Sequence, residues 1–335
     1  MFLLAYVLIL LSIFDCLEST RRLETKNIDD LLKLSGCIQE YPNFTQYNLF
    51  EHKLIHKFRQ LLHGQHLIMI GDSLTRYLYV TLVYALKYNR FNNDTSVPNI
   101  VKEKEWTNWY SFYNGTTTIL EPELCDCYRH DVGKIPAPIN VENRYYFDHQ
   151  YNFNISFFQY WGADIQGHWQ DHGDYDIYRK PFDHPVISFW KKNDISQFFG
   201  DVLSNLKIKP SIILFNAGIW IDESDNNYFL PDHINNIISS AFKIVPRLIY
   251  KTTTYTKNLR NAYFSYLQSL TPNFIFPYKA REDLMCSISG VECFNVSWTR
   301  CVNDSTFVDD YHYKADIYNH MLVQFENILS NHTKK

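Results

Sequence analysis

Basic clusters are missing from this chain. Lysine and arginine number 32 against 36 aspartates and glutamates, a formal net charge of −4 over 335 residues, with no block of like charge. A nucleic-acid interface needs a concentrated positive field, so nucleic acid is excluded as a main partner. Linkers rich in proline, glycine and serine are absent, and so are internal repeats. One domain is the economical organisation, and 46% hydrophobic residues are enough for one large core or two modest ones. Beyond residues 2–14, no stretch is long and apolar enough to span a bilayer. No Cys-x-x-Cys pair occurs. Cys125-Asp126-Cys127 is too tightly spaced for the usual zinc site and reads as two members of separate disulfides.

What is present at the start is a short apolar segment. Residues 2–14, as a helix, would be roughly 20 Å long, against roughly 30 Å for a hydrocarbon core. Residues 1–19 therefore read as a signal peptide or a short signal anchor, and membrane attachment is expected through this segment alone. Of the seven cysteines, Cys16 lies in or beside that leader, leaving an even set of six. Cys286 and Cys293 bracket a short glycine-containing loop and form the favoured local pair. Asn-x-Ser/Thr sequons stand at Asn43, Asn93, Asn114, Asn154, Asn295, Asn303 and Asn331. Leader, paired cysteines and sequons together predict the secretory pathway, either the Golgi lumen or the outside.

The apolar run His66-Leu67-Ile68-Met69-Ile70 stops at Gly71. Ser73 follows at once, and a helical pattern then begins with Leu74, Leu78, Leu82 and Leu86. That spacing predicts a buried strand, a tight turn and an amphipathic helix. Further strands are expected over 151–161, 211–215, 247–251 and 273–276. Helices are expected over 50–62, 195–206, 230–242, 258–270 and 313–329. Residues 91–146 read as an insertion with short strands, and 286–301 as irregular. Alternating strands and helices imply an α/β fold with a parallel sheet covered on both faces. The expected organisation is one domain over 20–335 with the insertion around 91–146.

Ser73 would sit at the carboxyl end of a strand and the positive end of a helix, where developing negative charge is stabilised. A serine nucleophile needs a base and a group that orients the base. Asp309 and His312, three residues apart before the last helix, supply both: the carboxylate can bond one imidazole nitrogen and leave the other for Ser73. Asp310 is the alternative orienter, although its closer spacing suits it less. Either aspartate is also a natural residue at a helix start. Asn216, at the end of strand 211–215, is an oxyanion donor through its side-chain amide or simply the cap of a turn. Gly71 belongs with Asn216 and Arg76 in the expected oxyanion and substrate-binding set. Arg76 either pairs with a buried aspartate or places positive charge near the acyl group. Trp106, Trp109, Trp161, Trp169 and Trp220 are candidate sugar platforms. His168 and His172, four apart among carboxylates, would suit zinc only on a helix; three glycines nearby argue for a loop and against a metal.

Gly71-Asp72-Ser73-x-x-Arg76, Leu214-Phe215-Asn216-Ala217-Gly218-Ile219-Trp220 and Asp309-x-x-His312 occur in that order. With the strand at 154–161 and Tyr318-Asn319 downstream, they resemble the PC-esterase branch of the SGNH (GDSL-type) hydrolases. That branch includes the trichome-birefringence-like polysaccharide O-acetyltransferases. The resemblance spans roughly 54–329. It implies a three-layer αβα sandwich, Ser73 as nucleophile, His312 as general base, Asp309 as its orienting acid, and no cofactor. The expected chemistry is O-acyl transfer or ester hydrolysis on a glycan, with a carbohydrate acceptor and an acetyl donor. A catalytically silent glycan-binding or matrix protein on the same fold is the alternative. The sequence departs from the plant pattern after His312, where Tyr313-Lys314 replaces Trp-Cys-Leu-Pro-Gly.

Overall fold

The run that stops at Gly71 lies in the middle of a seven-stranded sheet. In this computed structural model, residues 51–92, 109–126, 143–160, 199, 203–219, 231–269 and 278–332 are described. The strands are β1 (His66–Gly71), β2 (Leu124–Asp126), β3 (Asn143–Asp148), β4 (Phe153–Gln159), β5 (Ile212–Phe215), β6 (Arg247–Lys251) and β7 (Val291–Phe294). Their order is β2-β3-β4-β1-β5-β6-β7. Strands β4, β1, β5, β6 and β7 run parallel; β3 pairs antiparallel with β4, and β2 antiparallel with β3. The seven described α-helices are α1 (Glu51–Leu62), α2 (Ser73–Tyr88), α3 (Trp109–Leu120), α4 (Pro231–Phe242), α5 (Lys257–Ser269), α6 (Lys279–Ser287) and α7 (Ala315–His332).

Side chains alternate across a strand, so β1 feeds two cores. Leu67 and Met69 join Ile155, Phe157, Leu214 and Ile249 beneath α1, α2, α3 and α7. Ile68 and Ile70 join Phe158, Ile213, Phe215 and Tyr250 beneath α4, with Met285 of α6. Helices thus cover both faces, as the alternation of strands and helices predicts. From β1 the chain builds β2, β3 and β4 on one side, and after β4 it crosses to β5, β6 and β7 on the other. This is the topological switch point at which such sheets open a crevice beyond their carboxyl ends.

Three elements differ from expectation. Helix α3 forms in the supposed insertion, although Gly115 and three successive threonines are poor helix formers. Burial outweighs propensity here. Thr116 donates to the Phe112 carbonyl at 2.8 Å and accepts from the fully buried Arg144 at 2.9 Å, while Arg144 also binds both Glu123 oxygens at 3.1 and 3.0 Å. That network fastens α3 to β3, and β2 and β3 continue the main sheet. Helix α6 and strand β7 were not expected either; β7 lies inside the segment read as irregular. It is a four-residue edge strand, only partly buried, and carries no strong alternation. The expected strand at 273–276 lies outside the described residues, as do most of the expected helix 195–206, the leader and the His168–His172 segment.

The Cys286–Cys293 pair forms, with Cα atoms 5.1 Å apart, and joins α6 to β7. The Asn154 sequon falls inside β4, where the side chain is 8% exposed and accepts a bond from the Tyr145 hydroxyl. Glycosylation needs an exposed asparagine, so this sequon is closed in the folded protein. Asn295 and Asn303 are exposed. No helix among the described residues is long and apolar enough to cross a membrane.

At the start of β1, His66 is 1% exposed. Its Nδ1 lies 3.0 Å from the Ile208 carbonyl and its Nε2 2.9 Å from Ser156 Oγ. A carbonyl accepts only, so Nδ1 carries the proton and Nε2 accepts from the serine. Burial pulls the His66 pKa from 6.5 down to about 4, against the upward pull of the Ile208 bond. The unfolded chain therefore binds the proton first, and stability rises with pH between those two values and is lost on acidification through them. A shift of this size corresponds to roughly 3 kcal/mol. Urea titrations at pH 7 and pH 4 should show wild type losing about that much more stability than His66→Gln; an equal loss in both would exclude His66 as the source.

Candidate active site

The turn between β1 and α2 is built by residues with no freedom to be otherwise. A Cβ on Gly71 would lie 2.3 Å from Thr75 Oγ1 and 2.7 Å from Thr75 Cβ, so only glycine lets the strand end against the first turn of α2. Asp72 is the N-cap of α2, with Oδ1 accepting the Leu74 N–H at 3.0 Å. Its other oxygen accepts the Ile219 N–H at 3.0 Å, from the turn that follows β5. The carboxylate thus joins the ends of two neighbouring strands. Ladder bonds continue to the same rim: the Tyr160 N–H donates to the Gly71 carbonyl at 2.8 Å, and the Asn216 N–H to the Ile70 carbonyl at 2.9 Å.

Ser73 is the first residue of α2 and is 5% exposed. Its hydroxyl lies 2.8 Å from His312 Nε2. His312 Nδ1 lies 2.9 Å from Asp309 Oδ2. A carboxylate cannot donate, so Nδ1 carries the hydrogen and Nε2 is left to accept from the serine. Asp309 Oδ1 accepts the Tyr311 and His312 backbone N–H groups, both at 2.8 Å. Asp309, not Asp310, is therefore the residue bonded to the imidazole. The loop is closed by the Phe307–Tyr313 bridge and by the Lys257 N–H donating to the Asp310 carbonyl at 2.9 Å. Helix α7 starts only at Ala315.

Burial pushes the Asp309 carboxyl up. The bond from the His312 ring, the charge of that ring and the two backbone donors outweigh it, and hold the carboxyl well below the usual carboxylate range. The His312 and Asp309 side chains are 12% and 14% exposed, covered but within reach of a molecule entering from the rim.

Tyr77, one helical turn beyond Ser73, presents its ring edge-on to His312, with centroids 5.0 Å apart and planes at 75°. Residues four apart share a helix face, and that spacing from Ser73 is the signal by which sequence reading, which did not single out Tyr77, could have found it. Arg76 is buried, its guanidinium carbon 4.6 Å from the Tyr77 centroid and 5.0 Å from that of Phe112. It therefore touches the ring that flanks His312. Asn216 is fully buried at the end of β5. Its Nδ2 donates to the Lys251 carbonyl at 2.8 Å, and its Oδ1 accepts the Gly218 N–H at 3.1 Å. Asn216 thus shapes the turn after β5, and one of its two amide hydrogens is engaged by β6. The Ser73 N–H, at the open end of α2, has no hydrogen-bond partner among the described residues.

Beneath this rim lies a buried polar layer that sequence reading did not find. Lys251, fully buried, donates to the Thr252 carbonyl at 3.2 Å and to Thr254 Oγ1 at 3.1 Å. Burial pulls its pKa down to about 8, against the charges of Asp72 and Glu282. No group of three or more His, Cys, Asp or Glu able to hold a metal occurs among the described residues. The five tryptophans named as sugar platforms have no described side-chain placement.

No family model and no curated protein matches the chain. Among solved structures, an ADP-ribosylation-factor-like GTP-binding protein aligns with it, the small COPII coat GTPase SAR1 of Encephalitozoon cuniculi in complex with GDP. The alignment covers 92% of this chain and 97% of that one, at 11% identity and a TM-score of 0.27, too slight a likeness to carry an argument.

Gly218 backs directly onto Asp72. Its φ is +79°, and a Cβ there would lie 2.9 Å from Asp72 Oδ2. Gly218→Ala should therefore lower stability by more than the about 1–2 kcal/mol of the left-handed backbone alone. Urea unfolding of the variant measures this, and a cost below 0.5 kcal/mol, within ordinary surface-substitution scatter, would contradict the packing described.

Proposed function

We propose that this protein is a serine-dependent O-acyl transferase or esterase working through an acyl-Ser73 intermediate. The observation that carries the reading is the continuous relay Asp309–His312–Ser73, with bonds of 2.9 and 2.8 Å, at the switch point of a mostly parallel sheet. Ser73 and the Asp309–His312 pair, from distant parts of the chain, meet there in the order of roles that acyl transfer requires. The motifs resembling PC-esterases support an SGNH-type site and an O-acetyl group on carbohydrate as its substrate, and the leader, cysteines and sequons support work in the secretory pathway.

In this mechanism Ser73 Oγ attacks the ester carbonyl carbon while its proton passes to His312 Nε2. Asp309 holds the imidazole in the tautomer that can accept, and stabilises the cation that results. The carbonyl oxygen becomes an oxyanion facing the Ser73 N–H and the positive end of α2; one such donor is worth about 3 kcal/mol in the transition state. Collapse breaks the bond to the leaving alcohol, which takes the proton from Nε2. His312 then removes a proton from the acceptor as it attacks the acyl carbonyl; collapse breaks the acyl–Oγ bond, and Nε2 returns that proton to Ser73. A sugar hydroxyl as acceptor makes the enzyme a transferase, and water makes it an esterase.

A fluorophosphonate probe tests the nucleophile: wild type should label and Ser73→Ala should not. Equal labelling of the two would sink the reading and leave a silent glycan-binding protein in its place. Asp309→Asn keeps the shape but favours the wrong tautomer, and should slow turnover of an activated acetyl ester on the order of 10⁴-fold with little change in KM. Mass spectrometry of the same reaction with oligosaccharide present separates the two fates: acetylated sugar identifies transfer, whereas acetate release unaffected by sugar identifies hydrolysis.

A further inference from the structure

The turn after β5 is held by more than its own strand. Residues 216–219 are gripped from two sides. From the serine side, Asp72 Oδ2 accepts the Ile219 N–H at 3.0 Å. From the opposite side, the start of α6 supplies two donors. Arg281 Nη2 donates to the Gly218 carbonyl at 2.9 Å, and the Tyr278 hydroxyl to the Ile219 carbonyl at 2.9 Å. Two successive carbonyls and one N–H of the same turn are thereby fixed by side chains 59 to 147 residues away in sequence.

Those donors are themselves located. The Arg281 guanidinium carbon lies 4.6 Å from the Tyr278 ring centroid, so the two side chains brace each other. Arg281 Nη2 also donates to Thr253 Oγ1 at 2.8 Å, on the segment leaving β6. Glu282 Oε1 accepts the Thr253 N–H at 3.1 Å and the Thr253 hydroxyl at 2.7 Å. Arg281, Glu282 and Thr253 are 5%, 7% and 1% exposed. An Arg–Glu pair at this depth adds little net stability over apolar packing. The shorter Nη2 bonds go to the turn and to Thr253, whereas Glu282 Oε1 is 3.5 Å away. The guanidinium is directed at the backbone of the rim more than at its neighbouring carboxylate. At its other end α6 is pinned to β7 by the Cys286–Cys293 disulfide, which keeps this helix against the sheet.

We infer that Tyr278 and Arg281 are positioning residues for acyl transfer at Ser73: by holding the Gly218 and Ile219 carbonyls they fix the Ile219 N–H on Asp72, and through Asp72 the direction of the Ser73 N–H. The inference rests on Ser73 being the nucleophile. Neither residue touches the reacting atoms. Both act through Asp72, which caps α2 with one oxygen and receives the turn with the other. If the turn drifts, Asp72 Oδ2 loses its donor and the carboxylate can rotate, taking the Leu74 bond and the first turn of α2 with it. Displacements of about 1 Å at a reacting centre cost up to about 100-fold in rate.

Tyr278→Phe and Arg281→Met in the full chain test this. Tyr278→Phe removes one hydroxyl and keeps the ring under Arg281, so it decides the matter if Arg281→Met fails to fold. Per folded molecule, Tyr278→Phe should react with the fluorophosphonate probe about 10- to 100-fold more slowly, with the half-saturating probe concentration unchanged. Hydrogen exchange at the Ile219 amide should be faster than in wild type. The double variant should be no slower than the slower single one, because both act on the same turn. A folded Tyr278→Phe that labels at the wild-type rate, or whose Ile219 amide exchanges as in wild type, overturns the positioning role and leaves the nucleophile assignment standing. Absence of Ser73-dependent labelling in wild type overturns both, and so separates the two failures.

Discussion

One buried carboxylate holds the rim together. Asp72 caps α2 through Oδ1 and takes the Ile219 N–H on Oδ2, so a single planar group fixes the angle between the β1–α2 junction and the turn after β5. Its position requires two glycines. Gly71 lets the strand close on Thr75, and Gly218 lets the neighbouring turn lie against the carboxylate. Burying this group is tolerable because each of its oxygens receives a backbone N–H, one from the cap and one from the turn. The serine hydroxyl depends on this arrangement for its aim, since Ser73 is the next residue along.

The two cores serve that rim in different ways. Strand β1 is buried at every position and shares its side chains between them. The core under α1, α2, α3 and α7 supports the Ser73–His312 side of the rim. Tyr77 lies in it and flanks His312, and α7 follows directly on the Asp309–His312 loop. The core under α4 contains Met285 of α6, the helix whose first residues reach the turn after β5. Ser73 and His312 are thus supported from one face of the sheet, and the opposing turn from the other. Packed interiors do not deform smoothly, so each face holds its half of the site at fixed depth.

Much of this was legible in the sequence wherever the information is local. Strand β1, helix α2 and the serine between them follow from an apolar run, a glycine and a helical repeat. Asp309 and His312 are three residues apart, and their bond is a short-range fact. Bringing that pair to Ser73, 239 residues away, needed the α/β pattern and chain order. Tyr278 and Arg281 stayed hidden because their partners lie 59 and 63 residues away, and an arginine and a tyrosine at a helix start carry no local sign of such contacts. Helix α3 was missed because its glycine and threonines argue against a helix that Arg144 and Glu123 enforce through tertiary bonds. Strand β7 was missed because a four-residue, half-covered edge shows no periodicity. For Asn216, sequence located the residue and offered the turn cap that its Oδ1 makes with the Gly218 N–H, while the amide's bond to the Lys251 carbonyl is a tertiary contact that it did not show.

The closed sequon in β4 has a consequence for how the chain is made. Asn154 sits beside β1 in the parallel ladder, its backbone N–H on Gln65 and its side chain against Tyr145. A glycan could not be attached to so covered a side chain without displacing what packs over it. In a compartment that modifies nascent chains, the strand must therefore be sequestered before the modifying enzyme reaches it, and any molecule carrying sugar at Asn154 has lost that race. Sugar at this one position, read by peptide mass spectrometry, would count the molecules that failed to assemble their central sheet in time.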